Sequence, residues 1–338
     1  MPKEPAAHGP AYVPVIDSIR FLAALWVFFS HYAGQLRDYS DSIAARLLGA
    51  SFDGVAAVVL FFIISGFCIH LPYADRPGFH VWRYFLRRYV RIGLPLVACL
   101  IVMHLLGGFA SAGGQSVLWS VYAELVYYTL YPVIFVMQRK WGFGPVLLAS
   151  SALSLGVTLA WPDTIRIWEF GTLTWVWGLP IWIAGAALAQ KYRQGQLASL
   201  PGKPALWRAG IWLLSVGALL LVFHSPVKVG YPVSMYLFAL AAFFWISREL
   251  SAGASRLGKL SYLGQFTYSL YLMHNVVIGY FLDVTGPTVS ALQLLAMLAA
   301  VVVVTAAFFY LVERPAHRLA RWLTAARPQR AIPAGGPG

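Results

Sequence analysis

The sequence predicts an all-α fold, a polytopic membrane protein of about ten transmembrane helices with both termini cytoplasmic. Three observations carry this expectation. Of the 338 residues, 59% are hydrophobic and only 11% charged, and the mean hydropathy of +0.69 lies well outside the balance of a soluble domain. Apolar runs of about 20 residues, the length that carries a helix across roughly 30 Å of hydrocarbon, recur along the chain. The Lys and Arg residues gather in every second connection between those runs, as the positive-inside rule requires.

The runs lie at 14–36, 53–73, 92–109, 116–137, 144–161, 173–190, 207–224, 231–247, 263–283 and 288–312. With the N-terminus inside, the basic residues of every inner segment fall on one side. Only Arg37, Arg46, Arg166 and Lys228 are left outside, and Arg20 lies within the first span. The net charge of +13 is then accounted for by topology and attraction to an anionic inner leaflet, and no nucleic-acid partner is needed. Residues 1–13 are expected as a cytoplasmic segment, 14–315 as the transmembrane domain and 316–338 as a basic, disordered cytoplasmic tail.

The first run, "IDSIRFLAALWVFFSHY", has the apolar core of a signal peptide but lacks a small-residue cleavage site, and its removal would spoil the charge alternation. It is retained as a helix. Arg20 and His31, eleven positions apart, then project from one face roughly 16 Å apart along the axis, Arg20 nearer the cytoplasm. Ionisable groups inside a membrane helix cost several kcal/mol unless partnered, so each is a site candidate.

In the second run, "FFIISGFCIH" places Ser65 and Gly66 where small residues usually serve close helix packing. Before the third, "WRYFLRRYVRIGLP" crowds Arg83, Arg87, Arg88 and Arg91 into one inner loop and helix start. Topological signalling with lipid head-group contact accounts for them, and so does a polyanion site, because guanidinium forks grip phosphates. The fourth run, "LWSVYAELVYY", buries Glu124, which calls for a histidine or arginine partner on another helix.

The ninth run, "TYSLYLMHN", sets Tyr268, Tyr271 and His274 at intervals of three on one face. His274, His31 and Glu124 are expected at a similar depth. At the end of the tenth run, Glu313 beside Arg314 and Pro315 is expected as a helix-end ion pair and stop signal. Asp53 and Asp283 are expected at solvated helix ends. Cys68 and Cys99 fall in separate spans and imply neither a disulfide nor a metal site.

Six pieces occur in the order of a known family: Arg20 with His31, "FFIISGF" from Phe61, "RRYVRIGLP" from Arg87, "WSVYAE" from Trp119, "YSLYLMH" from Tyr268 and "ERP" from Glu313. From about Ile16 to Pro315 the chain resembles the membrane-bound acyltransferase 3 family, bacterial O-acetyltransferases of surface polysaccharides and related acceptors. Val121 stands where the family usually has Leu, and the glycine and aspartate commonly seen ahead of the Phe pair appear here only loosely, as Asp53 and Gly54. The fused hydrolase-like domain of some members is absent from this sequence.

The resemblance implies a multi-pass enzyme of the bacterial cytoplasmic membrane. It implies transfer of an acyl group, acetyl being commonest, from cytoplasmic acyl-CoA to a hydroxyl of an extracytoplasmic or lipid-linked glycan, without a metal. Arg87, Arg88 and Arg91 would hold the acyl-CoA phosphates. His31 and Glu124 would be catalytic, His31 as general base or transient acyl carrier and Glu124 fixing its tautomer. Arg20, Ser65, Tyr271 and His274 would support, with Tyr271 or His274 either donating to the developing oxyanion or packing. A secondary transporter or flippase with an Arg/His/Glu relay is the alternative. It predicts inverted repeats, yet "SGF" and "WSVYAE" have no counterpart in the second half.

Overall fold

A computed structural model describes residues 12–39, 43–78, 80–106, 114–197, 199–226, 229–252, 256–286 and 290–325. They form twelve α-helices: α1 (Pro14–Tyr39), α2 (Ile43–Ala50), α3 (Gly54–His70), α4 (Val81–Leu105), α5 (Gly114–Trp141), α6 (Phe143–Ala160), α7 (Thr174–Arg193), α8 (Pro204–His224), α9 (Tyr231–Ser251), α10 (Thr267–Thr285), α11 (Ala291–Phe308) and α12 (Arg314–Thr324). Among the described residues no strand occurs, and nine segments are long and apolar enough to cross a membrane. The ninth predicted span, α10, is helical over 19 residues and is longer than α6 and α11. Thr267, Ser269, His274, Asn275 and Asp283 hold down its apolar character.

At the centre lie α3 and α7, buried along most of their length. They touch backbone to backbone. A Cβ on Gly66 would stand 1.9 Å from the Trp182 carbonyl oxygen, and one on Gly185 2.0 Å from that of Ile63, so each helix offers its glycine to the other's backbone. Asp53, expected at a solvated helix end, is instead buried as the N-cap of α3. Its Oδ1 accepts from the amides of Val55 (2.9 Å) and Ala56 (3.3 Å). The outer helices behave oppositely. Leu148, Leu155 and Leu159 of α6, Leu206, Leu213 and Leu220 of α8, and Leu295, Val302 and Val303 of α11 stand exposed, as lipid-facing surfaces do.

Polar contacts between connections define an arginine-rich end. Arg193 Nε meets Asp75 Oδ2 at 2.7 Å, Arg139 donates to the Ala74 carbonyl at 3.4 Å, and His70 joins Tyr131 (3.0 Å) to Gln190 (2.9 Å). Two expectations change here. The arginine stretch is not a loop, since α4 begins at Val81, eleven residues before the predicted span, and carries Arg83, Arg87 and Arg91 at helical spacing. Nor are residues 316–324 disordered: they belong to α12, which packs along the first half of α4. Residues 1–11 and 326–338, the bulk of the two expected terminal segments, lie outside the described residues. Between α11 and α12 the helix continues through one π turn, Phe309–Glu313, closed by the Arg314 amide on the Phe309 carbonyl.

Candidate active site

Helix α1 supplies the axis of the site, with Arg20 and His31 three turns apart on one face. Arg20 forms an ion pair with Asp17 one turn earlier (Nη1 to Oδ1, 3.1 Å) and donates from Nη2 to Cys68 Sγ at 3.0 Å. Glu124 and Tyr128 of α5 lie within its electrostatic range. Arg91 of α4 interacts in the same way with Arg20, Arg88, Glu313 and Tyr128. Three guanidinium groups (Arg20, Arg88 and Arg91) and three buried or half-buried carboxylates (Asp17, Glu124 and Glu313) therefore share one region of the bundle's interior, near the arginine-rich end.

Glu124 is held by its own helix. Tyr128, one turn on, donates to Oε1 in a short hydrogen bond. The Tyr128 hydroxyl also meets Ser65 Oγ at 3.3 Å, and Trp182 Nε1 donates to the same Oγ at 3.1 Å. An indole N–H can only donate and a carboxylate can only accept. The proton order is therefore fixed, from Trp182 through Ser65 and Tyr128 to Glu124. Such aligned hydroxyl dipoles reinforce one another in a low-dielectric interior.

Farther along the bundle, His31 meets His274 of α10, their ring centroids 5.4 Å apart and their planes inclined by 41°. His31 is half-buried, whereas His274 is fully buried. Tyr271, one turn before His274, shares a 2.5 Å hydrogen bond with Ser120 of α5 and packs edge-on against Phe61. The structure thus brings His31 to His274, and Glu124 to Tyr128 and Arg20. Among the described residues no hydrogen bond joins Glu124 to His31; the carboxylate is bonded to Tyr128 instead. The physical reason is local, because a hydroxyl at the fourth position on the same helix satisfies the carboxylate without a partner from elsewhere.

The arginines of α4 are tied to α12. Arg87 Nε donates to Thr324 Oγ1 at 3.3 Å and Arg91 Nε to His317 Nε2 at 3.0 Å. Both bonds use Nε, and among the described residues no hydrogen bond engages the terminal Nη atoms of either arginine. Arg88 is half-buried between them. Glu313 differs from expectation. It is 3% exposed, and its Oε2 accepts from the backbone amide (3.0 Å) and hydroxyl (2.5 Å) of Ser269. Its Oε1 lies 3.6 Å from His317. It is an internal brace between α10 and α12, and Arg314 beside it is exposed.

Sequence reasoning passed over Tyr128, Cys68, Ser120, Ser269 and His317. The spacing of four from Glu124 to Tyr128 and from Glu313 to His317 was the available signal. Among the described residues no group of three or more His, Cys, Asp or Glu side chains is placed to hold a metal ion.

A family profile describing an acyltransferase domain, that of the acyltransferase 3 family, matches residues 13–312. The chain is also similar to acyltransferase MdmB of Streptomyces mycarofaciens, with 25% identity over 363 aligned residues that cover 91% of this chain and 92% of the relative. No solved structure matches it. With the profile spanning nearly all of the helical bundle that holds Arg20, Glu124, His31 and His274, the chain belongs to the acyltransferase 3 family and is a multi-pass membrane acyltransferase.

Proposed function

We propose that this acyltransferase takes its acyl group, acetyl in the first instance, from cytoplasmic acyl-CoA and delivers it to a hydroxyl of an extracytoplasmic or lipid-linked glycan, across the cytoplasmic membrane of a bacterium. The observation that carries this reading is the polar column inside the bundle, from Arg87, Arg88 and Arg91 past Arg20 and Glu124 to His31 and His274. One end of that column suits a polyphosphate and the other a proton transfer.

In this reading Arg87, Arg88 and Arg91 bind the phosphates of acyl-CoA through their terminal forks, where bidentate geometry is strongest. Glu124, held by Tyr128, balances the positive charge of Arg20 and Arg91 in the low dielectric of the column. His31 takes the proton from the acceptor hydroxyl as its oxygen attacks the thioester carbonyl. When the carbon–sulfur bond breaks, His31 returns that proton to the departing sulfur. Tyr271, hydrogen-bonded to Ser120, is the hydroxyl assigned to the developing oxyanion.

The test uses the full chain in nanodiscs. Acetyl-CoA binding is expected to be at least tenfold weaker in Arg88→Ala and Arg91→Ala. His31→Ala is expected to bind acetyl-CoA normally while transfer falls by roughly 10²- to 10⁴-fold, the usual worth of a positioned base. Undiminished transfer by His31→Ala would refute the mechanism, and failure to bind any acyl-CoA would refute the donor.

A further inference from the structure

His274 carries a hydrogen-bonding question that the reading above leaves open. Its Nδ1 lies 2.9 Å from the carbonyl oxygen of Leu270, one turn earlier on α10. A carbonyl accepts, so Nδ1 carries the proton. The ring is fully buried, and no carboxylate is bonded to it among the described residues. An uncompensated imidazolium there would cost several kcal/mol, so the ring is neutral and its Nε2 holds a bare lone pair. That atom is buried and, among the described residues, has no hydrogen-bond partner. Buried polar atoms seldom remain unsatisfied without a reason.

The walls around His274 narrow the choice of donor. Phe28 of α1 packs edge-on at 6.3 Å and offers no donor. The Tyr271 ring lies 6.0 Å away and its hydroxyl is engaged with Ser120. His31 is the nearest ring, at 5.4 Å between centroids. An N–H···N hydrogen bond of about 3 Å between two imidazoles sets their centroids roughly 5 Å apart, so the observed separation admits such a bond once the rings turn their nitrogens toward each other.

We propose that His274 is a positioning residue: its Nε2 accepts a hydrogen bond from His31 and thereby fixes which His31 nitrogen faces the reacting hydroxyl. One expectation is thereby revised. With Nδ1–H spent on Leu270 and no proton on Nε2, His274 cannot donate to an oxyanion, and that task is left to Tyr271. The proton count of the transfer closes with this assignment. His31 begins with one N–H, given to His274, and one lone pair. It gains the hydroxyl proton on the lone pair, and the same nitrogen delivers that proton to the departing sulfur while the bond to His274 persists. The partner thus holds the ring in one orientation throughout and stabilises the transient imidazolium.

The proposal rests on His31 being the base, and its test is built to fail separately from that reading. His274→Phe keeps an aromatic ring but no acceptor, and His274→Gln restores an acceptor oxygen. In nanodiscs, His274→Phe is expected to lose roughly 10²-fold in kcat, within the range for acid–base positioning, with the KM for acetyl-CoA unchanged, and His274→Gln to recover most of that loss. Independently of any acyl transfer, the rate at which diethyl pyrocarbonate modifies His31, mapped by peptide mass spectrometry, is expected to fall severalfold in His274→Phe, because a ring that donates a hydrogen bond is the stronger nucleophile.

Unchanged His31 modification in His274→Phe, even with kcat lost, overturns the proposal, since a packing role alone would give that result. A slowed modification in a protein that transfers no acyl group supports the pairing and refutes the reaction. Should His274→Phe fail to fold, 15N spectra of histidine-labelled wild type decide. A protonated Nδ1 and a hydrogen-bonded, unprotonated Nε2 on His274 support the proposal, and the opposite tautomer overturns it.

Discussion

A hydroxyl has one proton to give, and the interior of this bundle shows what that restriction accomplishes. Between Trp182, which can only donate, and Glu124, which accepts, the hydroxyls of Ser65 and Tyr128 have one arrangement each. Tyr128→Phe cuts the row at its last step and removes the hydrogen bond to the carboxylate. A hydrogen bond to a charged group contributes about 1.5–3 kcal/mol. The variant is therefore expected to lower the thermal midpoint in detergent by several degrees and to reduce transfer at least tenfold, while Trp182→Phe, at the far end of the row, has the smaller effect on activity. Equal activity losses in the two would show that the row does not act through Glu124. At this scale the sequence was partly legible. Burial alone marked Glu124, His31 and His274 as residues in need of partners, but depth along a helix does not identify a neighbour. A neutral hydroxyl four residues away gave no charge signal to compete with a distant histidine.

Helices place these residues, and they do so through contacts that hydropathy does not encode. Gly66 and Gly185 let α3 and α7 meet at backbone distance, which in turn brings Trp182 of α7 to Ser65 of α3. Gly66→Ala drives a methyl group into a carbonyl, an overpacking that costs about 1–3 kcal/mol even where neighbours can yield, and here the neighbour is backbone. Loss of the folded-protein peak in detergent size exclusion is expected. Gly156→Ala on the lipid-facing α6 meets nothing within 4 Å and is expected to be neutral or stabilising by up to about 1 kcal/mol. If both variants behave alike, close approach is not what requires the glycine. The spans themselves were legible because lipid demands long apolar runs. The first half of α4 and all of α12 were not, since they are polar helices stabilised by each other through Arg87, Arg91, His317 and Thr324, and pairing between distant segments leaves no mark in a hydropathy window. Their basic residues instead resembled a loop and a tail.

Across the whole molecule, the distribution of Lys and Arg is the main evidence for direction. If the arginine-rich end faces the cytoplasm, a single cysteine at Gln194, beside Arg193, is protected in intact cells, and one at Asp163, in the connection after α6, is labelled by a membrane-impermeant maleimide. The reverse pattern would invert the topology and, with it, the side from which the donor enters. The same end shows how length becomes placement. From Ala291 to Thr324 the chain runs 34 residues without a break, about 51 Å of helix against roughly 30 Å of hydrocarbon, so its last turns stand clear of the bilayer interior alongside α4. A π turn adds one residue to a helical cycle, which offsets everything after it by about 100° of phase. Phe309–Glu313 therefore works as a spline in a drive shaft: delete one residue there, and every contact α12 makes with the arginines turns away together, with no residue of the site itself altered.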